Sequence, residues 1–297
     1  MNKPLILFLV SLTISTFSFA QSKNDVIHLA EGPKEVQVIE VGFNTIKYSF
    51  PNEKTVYSIS KHHVNKIEFA SGREEVFESP FQPVHGLDDF EKVYISYNPD
   101  DVVGLESKGE LFSKATGVTT LSSINNVKNR ALDKLKAEAS MLGANVVFIG
   151  DVYQRGNTYG GENQAGNSTQ TTFSGTAYST IKLNPAQVKS LLSGKSFHHY
   201  QTHKLNRNSW SPDRAIATAY DSDRRPVMFE FDKITEKQDG IYVSGYSIPT
   251  KMKELKVISA DENMVILMER NDKIITNYIL ISEDNNYFKN IQNRVVL

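Results

Sequence analysis

One long segment of this 297-residue sequence, residues 123–143, has the periodicity of an amphipathic α-helix. Its apolar residues recur at intervals of three and four from Ile124 to Leu142, so they share one face. Ser123 is placed to cap the helix by accepting a backbone N–H, and Gly143 is placed to end it in the left-handed conformation. Most of the remaining patterned segments alternate with the period of β-strands. One helix among many strands is typical of an α+β protein.

The strand patterns divide the chain into three modules. Residues 21–80 contain short alternating segments separated by Gly, Pro and Asn turns, which predicts a β-meander. Residues 90–194 contain the long helix and form an α+β module, and residues 197–297 form a second meander. The predicted class is α+β and strand-dominated, with two antiparallel β-meander modules flanking an α+β module. Near residues 38–39 the apolar phase shifts by one, which predicts a β-bulge or burial on both faces.

The α+β module has three further local features. Residues 102–105 are apolar apart from one glycine and are predicted as a strand. Residues 155–170 are rich in Gly, Asn, Gln and Thr, so we predict a mobile loop. A short second helix is predicted with Asn184 as its cap, Pro185 in its first turn and Gly194 past its end.

The segment 1–20 is predicted to be a secretory signal peptide. It has a basic start at Lys3, a mostly apolar stretch over 5–17, and a small-x-small cleavage site before Gln21. The alternative is an anchor that stays in place, but the apolar stretch is shorter than the about 20 residues of a spanning helix. We therefore expect an exported chain, periplasmic or secreted and soluble, with no transmembrane span after cleavage.

Composition narrows the classes of site and partner. The chain contains no cysteine, which excludes disulfides, Cys-based zinc sites and anchoring through a lipidated Cys. Its formal net charge is −1 with both signs interspersed, so binding to nucleic acid is not expected. We predict no cofactor, and the expected partner is a protein or another envelope component.

The middle of the chain, residues 102–182, carries a local sequence pattern. A helix rich in Ala and Leu runs into Gly-Ala-Asn at 143–145, an apolar strand follows, and Gly-Thr-Ala-Tyr occurs at 175–178. This pattern resembles the Rcs-type outer-membrane stress-sensor lipoproteins and a related group of small modules once labelled heavy-metal-binding. The resemblance implies a shared small α+β fold. It assigns no metal ligand, because no matching ligands are present, and this chain lacks the cysteines of the sensor proteins.

Three histidines, His198, His199 and His203, lie within six residues of sequence. His199 and His203 would share one face of a helix at a spacing that zinc ligands use, so both are candidate metal ligands. No Glu lies between them, which excludes the metalloprotease helix motif. The alternative interpretation is an exposed linker between two modules.

Motifs for catalysis are not found, whereas aromatic residues offer candidate contacts. The sequence has no Gly-x-Ser-x-Gly elbow, and Ser58 with Lys61 matches Ser-x-x-Lys only within a predicted strand. Catalytic residues therefore stay unassigned. Aromatic residues in or near loops can bind ligands or partners, or can instead close the ends of small barrels. The candidates are Tyr153, Tyr159, Tyr200 and Trp210.

The sequence thus favours an exported bacterial envelope protein that acts as a non-catalytic binding or structural module. Two alternatives stay open. One is a secreted hydrolase with a carboxylate and histidine site between modules, and the other is an envelope stress or metal sensor.

Overall fold

A computed structural model describes residues 24–118, 122–162, 166–209, 211–217, 219–223 and 225–286. The predicted signal peptide and Trp210 lie outside these described residues. Strands dominate and most pair antiparallel, so the α+β, strand-dominated class is confirmed at this level. The chain divides between Ser79 and Pro80 into two compact units, each of which is described by itself.

The first unit is a six-stranded antiparallel sheet in the order β4-β3-β2-β1-β5-β6. Its core consists of five buried aliphatic side chains, Ile27, Val36, Ile46, Val64 and Ile67. A short 3-10 turn, Lys61–His63, leads into the fifth strand. The strands are β1 (Asp25–Leu29), β2 (Gly32–Val41), β3 (Thr45–Ser49), β4 (Tyr57–Ser60), β5 (Val64–Glu68) and β6 (Glu74–Val76).

The phase shift in the second strand is a β-bulge. The register with β3 slips between Val38 and Glu40, and Ile39 is left 56% exposed. The predicted bulge is therefore confirmed, and the alternative of burial on both faces is wrong.

The second unit begins with a four-stranded sheet in the order β7-β9-β10-β8, with one helix packed on it. β7 and β9 pair parallel, the other pairs are antiparallel, and β8 lies at an edge. Two 3-10 turns, Leu87–Lys92 and Pro99–Val102, flank β7. The elements are β7 (Tyr94–Ser96), β8 (Glu106–Thr116), α1 (Ile124–Met141), β9 (Val146–Arg155), β10 (Gln170–Ser179) and α2 (Pro185–Leu192).

The structure confirms the two predicted helices and corrects some of their details. The stripe of α1 is buried at Val127 and Leu135, but Ile124 is exposed. Ser123 occupies the N-cap position without a side-chain capping hydrogen bond, so that part of the prediction is wrong. The cap of α2 is confirmed, because the Asn184 side chain accepts hydrogen bonds from two backbone N–H groups of the first turn. The strand predicted at 102–105 is wrong, since a 3-10 turn and a bend precede β8 there.

The segment 155–170 continues the hairpin of β9 and β10 in its described residues. β9 extends to Arg155 and β10 begins at Gln170. Between them, Thr158 and Asn167 exchange two backbone hydrogen bonds of 2.9 Å. The prediction of a mobile loop is not tested by this pairing.

The rest of the second unit is an eight-stranded antiparallel sheet. Its main order is β12-β11-β18-β17-β16-β15-β14, and β13 also pairs with β11. The strands are β11 (Phe197–Asn206), β12 (Asp213–Ile216), β13 (Met228–Phe229), β14 (Lys233–Lys237), β15 (Gly240–Ser244), β16 (Leu255–Ala260), β17 (Met264–Arg270) and β18 (Ile274–Ser282). The histidine-containing segment is therefore strand β11 within a sheet, and its interpretation as an exposed linker is wrong.

The two sheets of the second unit share a core with α1. Leu205 of β11 and Ile275 of β18 belong to the same buried cluster as Leu135 of the helix. The Asn277 side chain donates a 3.0 Å hydrogen bond to the carbonyl of Met141 at the end of the helix. The predicted modules 90–194 and 197–297 thus both lie within one compact unit.

The Gly-Ala-Asn sequence makes the turn between α1 and β9. Gly143 has φ +75°, a conformation that glycine adopts without strain. Asn145 is 2% exposed, and its Oδ1 accepts from the backbone N–H of Thr180 at 3.0 Å. Its Nδ2 donates to the Gln82 carbonyl at 3.0 Å and to Thr180 Oγ1 at 2.8 Å. The motif therefore has a structural role, because one amide joins three parts of the unit.

Membrane crossing by a helix has no support in the described part of the chain, where every helix is too short or too polar to span a bilayer.

Replacement of Asn145 by alanine should destabilise the second unit by about 3 kcal/mol, because it leaves buried donors and acceptors without partners. Chemical denaturation followed by circular dichroism would measure the change in free energy of unfolding. Asn125→Ala is the matched control, since Asn125 is exposed on α1. An equally small effect of both substitutions would contradict the structural role of Asn145.

Candidate functional site

Two adjoining cavities of the second unit, about 600 and 470 Å³ in volume, form what we call the basic groove. Both are lined by Phe112, Lys134 and Arg207. The walls come from β8, from α1, from the segment after β11 and from the turn between β17 and β18. Buried apolar residues, Leu111, Leu205 and Ile275, also line the larger cavity. The groove is therefore built by residues that are distant in sequence.

The groove carries more positive than negative side chains. Six basic residues line the two cavities, against four acidic ones. The basic residues are Lys114, Arg130, Lys134, Arg207, Arg270 and Lys273, and the acidic ones are Glu110, Asp133, Glu138 and Asp272. A concave surface with this excess attracts anions, because its low-dielectric walls concentrate the field.

Two guanidinium groups of the groove interact electrostatically with Glu138 but have no direct polar contact among the described residues. Neither Arg207 nor Arg270 forms an ion pair or a side-chain hydrogen bond there. A Cβ on Gly109, whose φ is +132°, would come within 3.0 Å of Arg270 Nη1, so the lack of a side chain gives Arg270 its space. Both guanidinium groups are thus available to a ligand.

Glu138 and Lys134 lie one helical turn apart on α1, and burial shifts the pKa of each. Burial raises the pKa of the Glu138 carboxyl, although Arg270, Lys134 and Arg207 act in the opposite direction. Burial also lowers the pKa of the Lys134 amine, which donates a 2.5 Å hydrogen bond to the Arg207 carbonyl. Burial therefore favours the neutral forms of both the Glu138 carboxyl and the Lys134 amine.

Phe112 is 51% exposed and lies where the two cavities meet. Its neighbours at alternate positions of β8, Glu110 and Lys114, are exposed as well. An exposed aromatic ring beside guanidinium groups provides an apolar contact for a ligand that also carries charge. The arrangement suits binding of an anionic ligand with an apolar portion.

The two candidate metal ligands lie on opposite faces of the larger sheet. The pairing of β11 with β18 slips between His199 and Gln201, which is a β-bulge. His199 pairs with Leu280, whereas His203 pairs with Asn277, and these two partners on β18 are separated by an odd number of residues. Because side chains alternate along a strand, the two rings point to different sides of the sheet. The structure does not bring these histidines together.

Each of these two histidines has its own buried surroundings. His199 is 4% exposed, its Nε2 lies 3.0 Å from Thr202 Oγ1, and its ring meets that of Tyr278 edge-on. His203 is also buried and lines a smaller cavity of about 300 Å³ with His85 and with carboxylates of two turns. Its Nε2 has no hydrogen-bond partner among the described residues. Burial lowers the pKa of both rings and favours their neutral forms.

The carboxylates of this smaller cavity already have protein partners. Asp88 forms an ion pair of 3.3 Å with Arg214, and Asp261 accepts two backbone hydrogen bonds of its own turn. Within the described ranges, no three His, Asp or Glu side chains are placed to hold a metal ion together.

The candidate aromatic contacts are spread over different surfaces. Tyr153 on β9 and Tyr159 beyond it are exposed, and Tyr200 is half-buried at the bulge of β11. Trp210 lies outside the described residues. Phe112, Arg207 and Arg270 were not identified from the sequence as candidate site residues. The only sequence signal for them is weak, because an aromatic residue and two arginines in or beside alternating strands are common.

No family model matches this chain, and no curated protein and no solved structure matches it either. The function must therefore be inferred from the chemistry of the groove.

Stability should fall as the pH decreases through the range in which the histidines of β11 titrate. Burial, and then the charge of His198, lowers the pKa of His199 from 6.5 to about 4. The unfolded chain therefore binds its proton first, so the contribution of His199 is present above pH 6.5 and is lost by about pH 4. The loss attributable to His199 is about 3 kcal/mol at most.

Denaturation of the whole chain at several pH values would test this expectation. His199→Gln should reduce the pH dependence; His198 and His203, whose pKa values are also lowered by burial, should contribute in the same direction, and Glu138, whose pKa is raised, in the opposite one. His85→Gln is the control, because His85 is exposed. An unchanged pH dependence in the His199 variant would contradict the assignment.

Proposed function

We propose that this chain is an exported, non-catalytic binding protein of the bacterial envelope, and that its ligand presents an anionic group to the basic groove. The observation that carries the proposal is the pair of guanidinium groups, Arg207 and Arg270, that line one cavity without an ion pair or a side-chain hydrogen bond among the described residues. Both side chains are exposed, so an anionic ligand in the cavity can reach them.

The chemistry of arginine supports an anionic ligand. A guanidinium group presents several N–H donors in one plane and can bind a carboxylate or a phosphate through two parallel hydrogen bonds. Lys134 adds an amine whose own hydrogen bond holds the Arg207 backbone in place. The buried floor of Leu111 and Ile275 lowers the local dielectric constant and strengthens these interactions.

The location proposed for this function rests on the sequence. Residues 1–20 have the order of a signal peptide, and the absence of cysteine leaves no residue for lipid attachment through Cys. The local resemblance of residues 102–182 to envelope stress-sensor modules supports the same location. The ligand would then be a protein or another component of the periplasm or the cell surface.

The hydrolase and the metal sensor are supported by no specific contact among the described residues. The carboxylates Asp88 and Asp261 near His203 are occupied by protein groups. His199 and His203 lie on opposite faces of their sheet. We therefore keep binding as the single proposed function.

Titration calorimetry of the mature chain with benzenedisulfonate, a rigid aromatic dianion, tests the proposal. We expect binding that Arg270→Gln weakens by about tenfold, because one charge-assisted contact is lost. Lys251→Gln is the control of equal charge change, since Lys251 is exposed and does not line the groove. Absence of binding, or equal weakening in both variants, would sink the proposal.

The affinity for the same dianion should fall as the pH rises through the pKa of Glu138. Burial raises that pKa, so the carboxyl is neutral at low pH and becomes a negative charge inside the groove at higher pH. Benzenedisulfonate keeps its charge throughout, and no histidine of the described residues lines the groove. Glu138→Gln should reduce the pH dependence above the ordinary Glu pKa of 4.5 and tighten binding at higher pH, and the remaining dependence should come from Lys134, whose pKa is lowered by burial.

The stability of the Glu138 variant provides an independent check. Because the folded-state pKa is raised, the fold loses stability as the pH rises above the unfolded-state value of 4.5, and the loss is complete above the folded-state pKa, so Glu138→Gln should be the more stable protein there. A wild-type protein whose affinity does not change with pH would show that Glu138 does not face the ligand.

A further inference from the structure

The outer edge of β8 has no strand beside it among the described residues. β8 is the last strand in its sheet and pairs only with β10, along a register from Glu106 to Thr116. Within the same part of the chain, no backbone group outside β10 is hydrogen-bonded to the backbone of residues 106–115. A strand edge of this kind presents a row of N–H and C=O groups that can pair with another chain.

The available part of this edge has definite ends. The register with β10 slips next to Lys108, where β8 has one extra residue, and Gly109 follows it. At the other end, Arg130 Nη2 donates a 2.7 Å hydrogen bond to the Thr116 carbonyl. The intervening residues, 109–115, lie between these two interruptions, and their length suits a short strand.

This edge borders the basic groove. Glu110 and Phe112 line the larger cavity, and Phe112 and Lys114 line the smaller one. Residues two apart on a strand are separated by about 6.8 Å, and the same distance separates alternate side chains of a strand laid beside it. The two cavities lie on either side of Phe112. Successive side chains on one face of an added strand would therefore be spaced to enter one cavity each.

We propose that the basic groove binds an extended acidic peptide, a segment of a partner protein, which adds as a further strand to the edge of β8. This inference rests on the proposed function, because it names the ligand class of the same groove. Backbone hydrogen bonds to residues 109–115 would supply affinity, and acidic side chains in the two cavities would supply specificity. Lys134, Arg207 and Arg270 would face those carboxylates.

Charge complementarity distinguishes this occupant from others. A second copy of the chain pairing through β8 would bring a strand with two acidic and two basic side chains, which has no net charge to balance Arg207 and Arg270. A polyanion without a peptide backbone would satisfy Arg207 and Arg270 but would leave the edge without regular partners. An acidic peptide is the one ligand class that matches both features.

Fluorescence polarisation with a labelled octapeptide of alternating Glu and Val, added to the mature chain, tests the inference. Two further peptides carry N-methyl groups on the backbone nitrogens of either all Glu or all Val residues. Since N–H groups alternate in direction along a strand, one of these peptides loses every donor that faces β8, and its affinity should fall by about a hundredfold. The other should bind nearly as well as the parent.

Protein variants and hydrogen exchange complete the test. Arg207→Gln should weaken binding of the parent peptide by about tenfold, whereas Lys251→Gln should leave its affinity unchanged. Amide hydrogens of residues 109–115 should exchange more slowly when the parent peptide is bound. Equal affinity of all three peptides, unchanged exchange in β8, or equally tight binding of a tetramer of galacturonic acid would overturn strand addition.

The outcomes separate the two proposals. If benzenedisulfonate binds in a manner that requires Arg270 but N-methylation has no effect, the groove binds anions and strand addition is wrong. If neither the dianion nor any peptide binds, the proposed function itself is wrong. Dimerisation of the chain that the peptide reverses would instead show that β8 pairs with a second copy.

Discussion

The burial of α1 against two sheets at once is the interaction on which the second unit depends. One face of the helix packs on β8 and β10, and Leu205 and Ile275 of the larger sheet complete the same core. The end of the helix is held by the Asn277 amide, and the turn that follows packs so closely on β16 that a Cβ on Gly143 would lie 3.1 Å from the Ile258 carbonyl oxygen. Each fully buried aliphatic side chain contributes about 1.5–3 kcal/mol, so the shared core dominates the stability of the unit.

The basic groove is a result of this packing. Burial of the apolar stripe that contains Leu135 fixes the orientation of the helix. The neighbouring face, which carries Arg130, Lys134 and Glu138 at intervals of four, then lies beside β8. The end of β17 then supplies Arg270, which lines the same cavity. Charges that the sequence places on a solvated helix face thus become lining residues of a cavity, and their burial accounts for the pKa shifts of Glu138 and Lys134.

Local periodicity was sufficient to predict much of the fold. The stripe of α1, the cap of α2 and the bulge of β2 depend on residues that are neighbours in sequence, so pattern alone identifies them. β11 was not identified, because its run of His, Tyr, Gln, Thr and Lys is polar. It is buried through pairing with β18, which lies about 75 residues later, and with two other strands. The groove was missed for the same reason, since Lys134, Arg207 and Arg270 meet only after the sheets assemble.

The position of β18 also has a consequence for the order in which the chain folds. β18 lies between β11 and β17 in the larger sheet and carries residues of the core that covers α1. Its pairing with β11 closes a long loop, a kind of contact that forms slowly because of its entropic cost. The first unit needs only the pairing of β1 with β5, about 40 residues apart, as its longest loop closure. During synthesis, the core over α1 stays incomplete until β18 arrives, and the apolar surface that Leu205 and Ile275 later cover is meanwhile exposed to a chaperone.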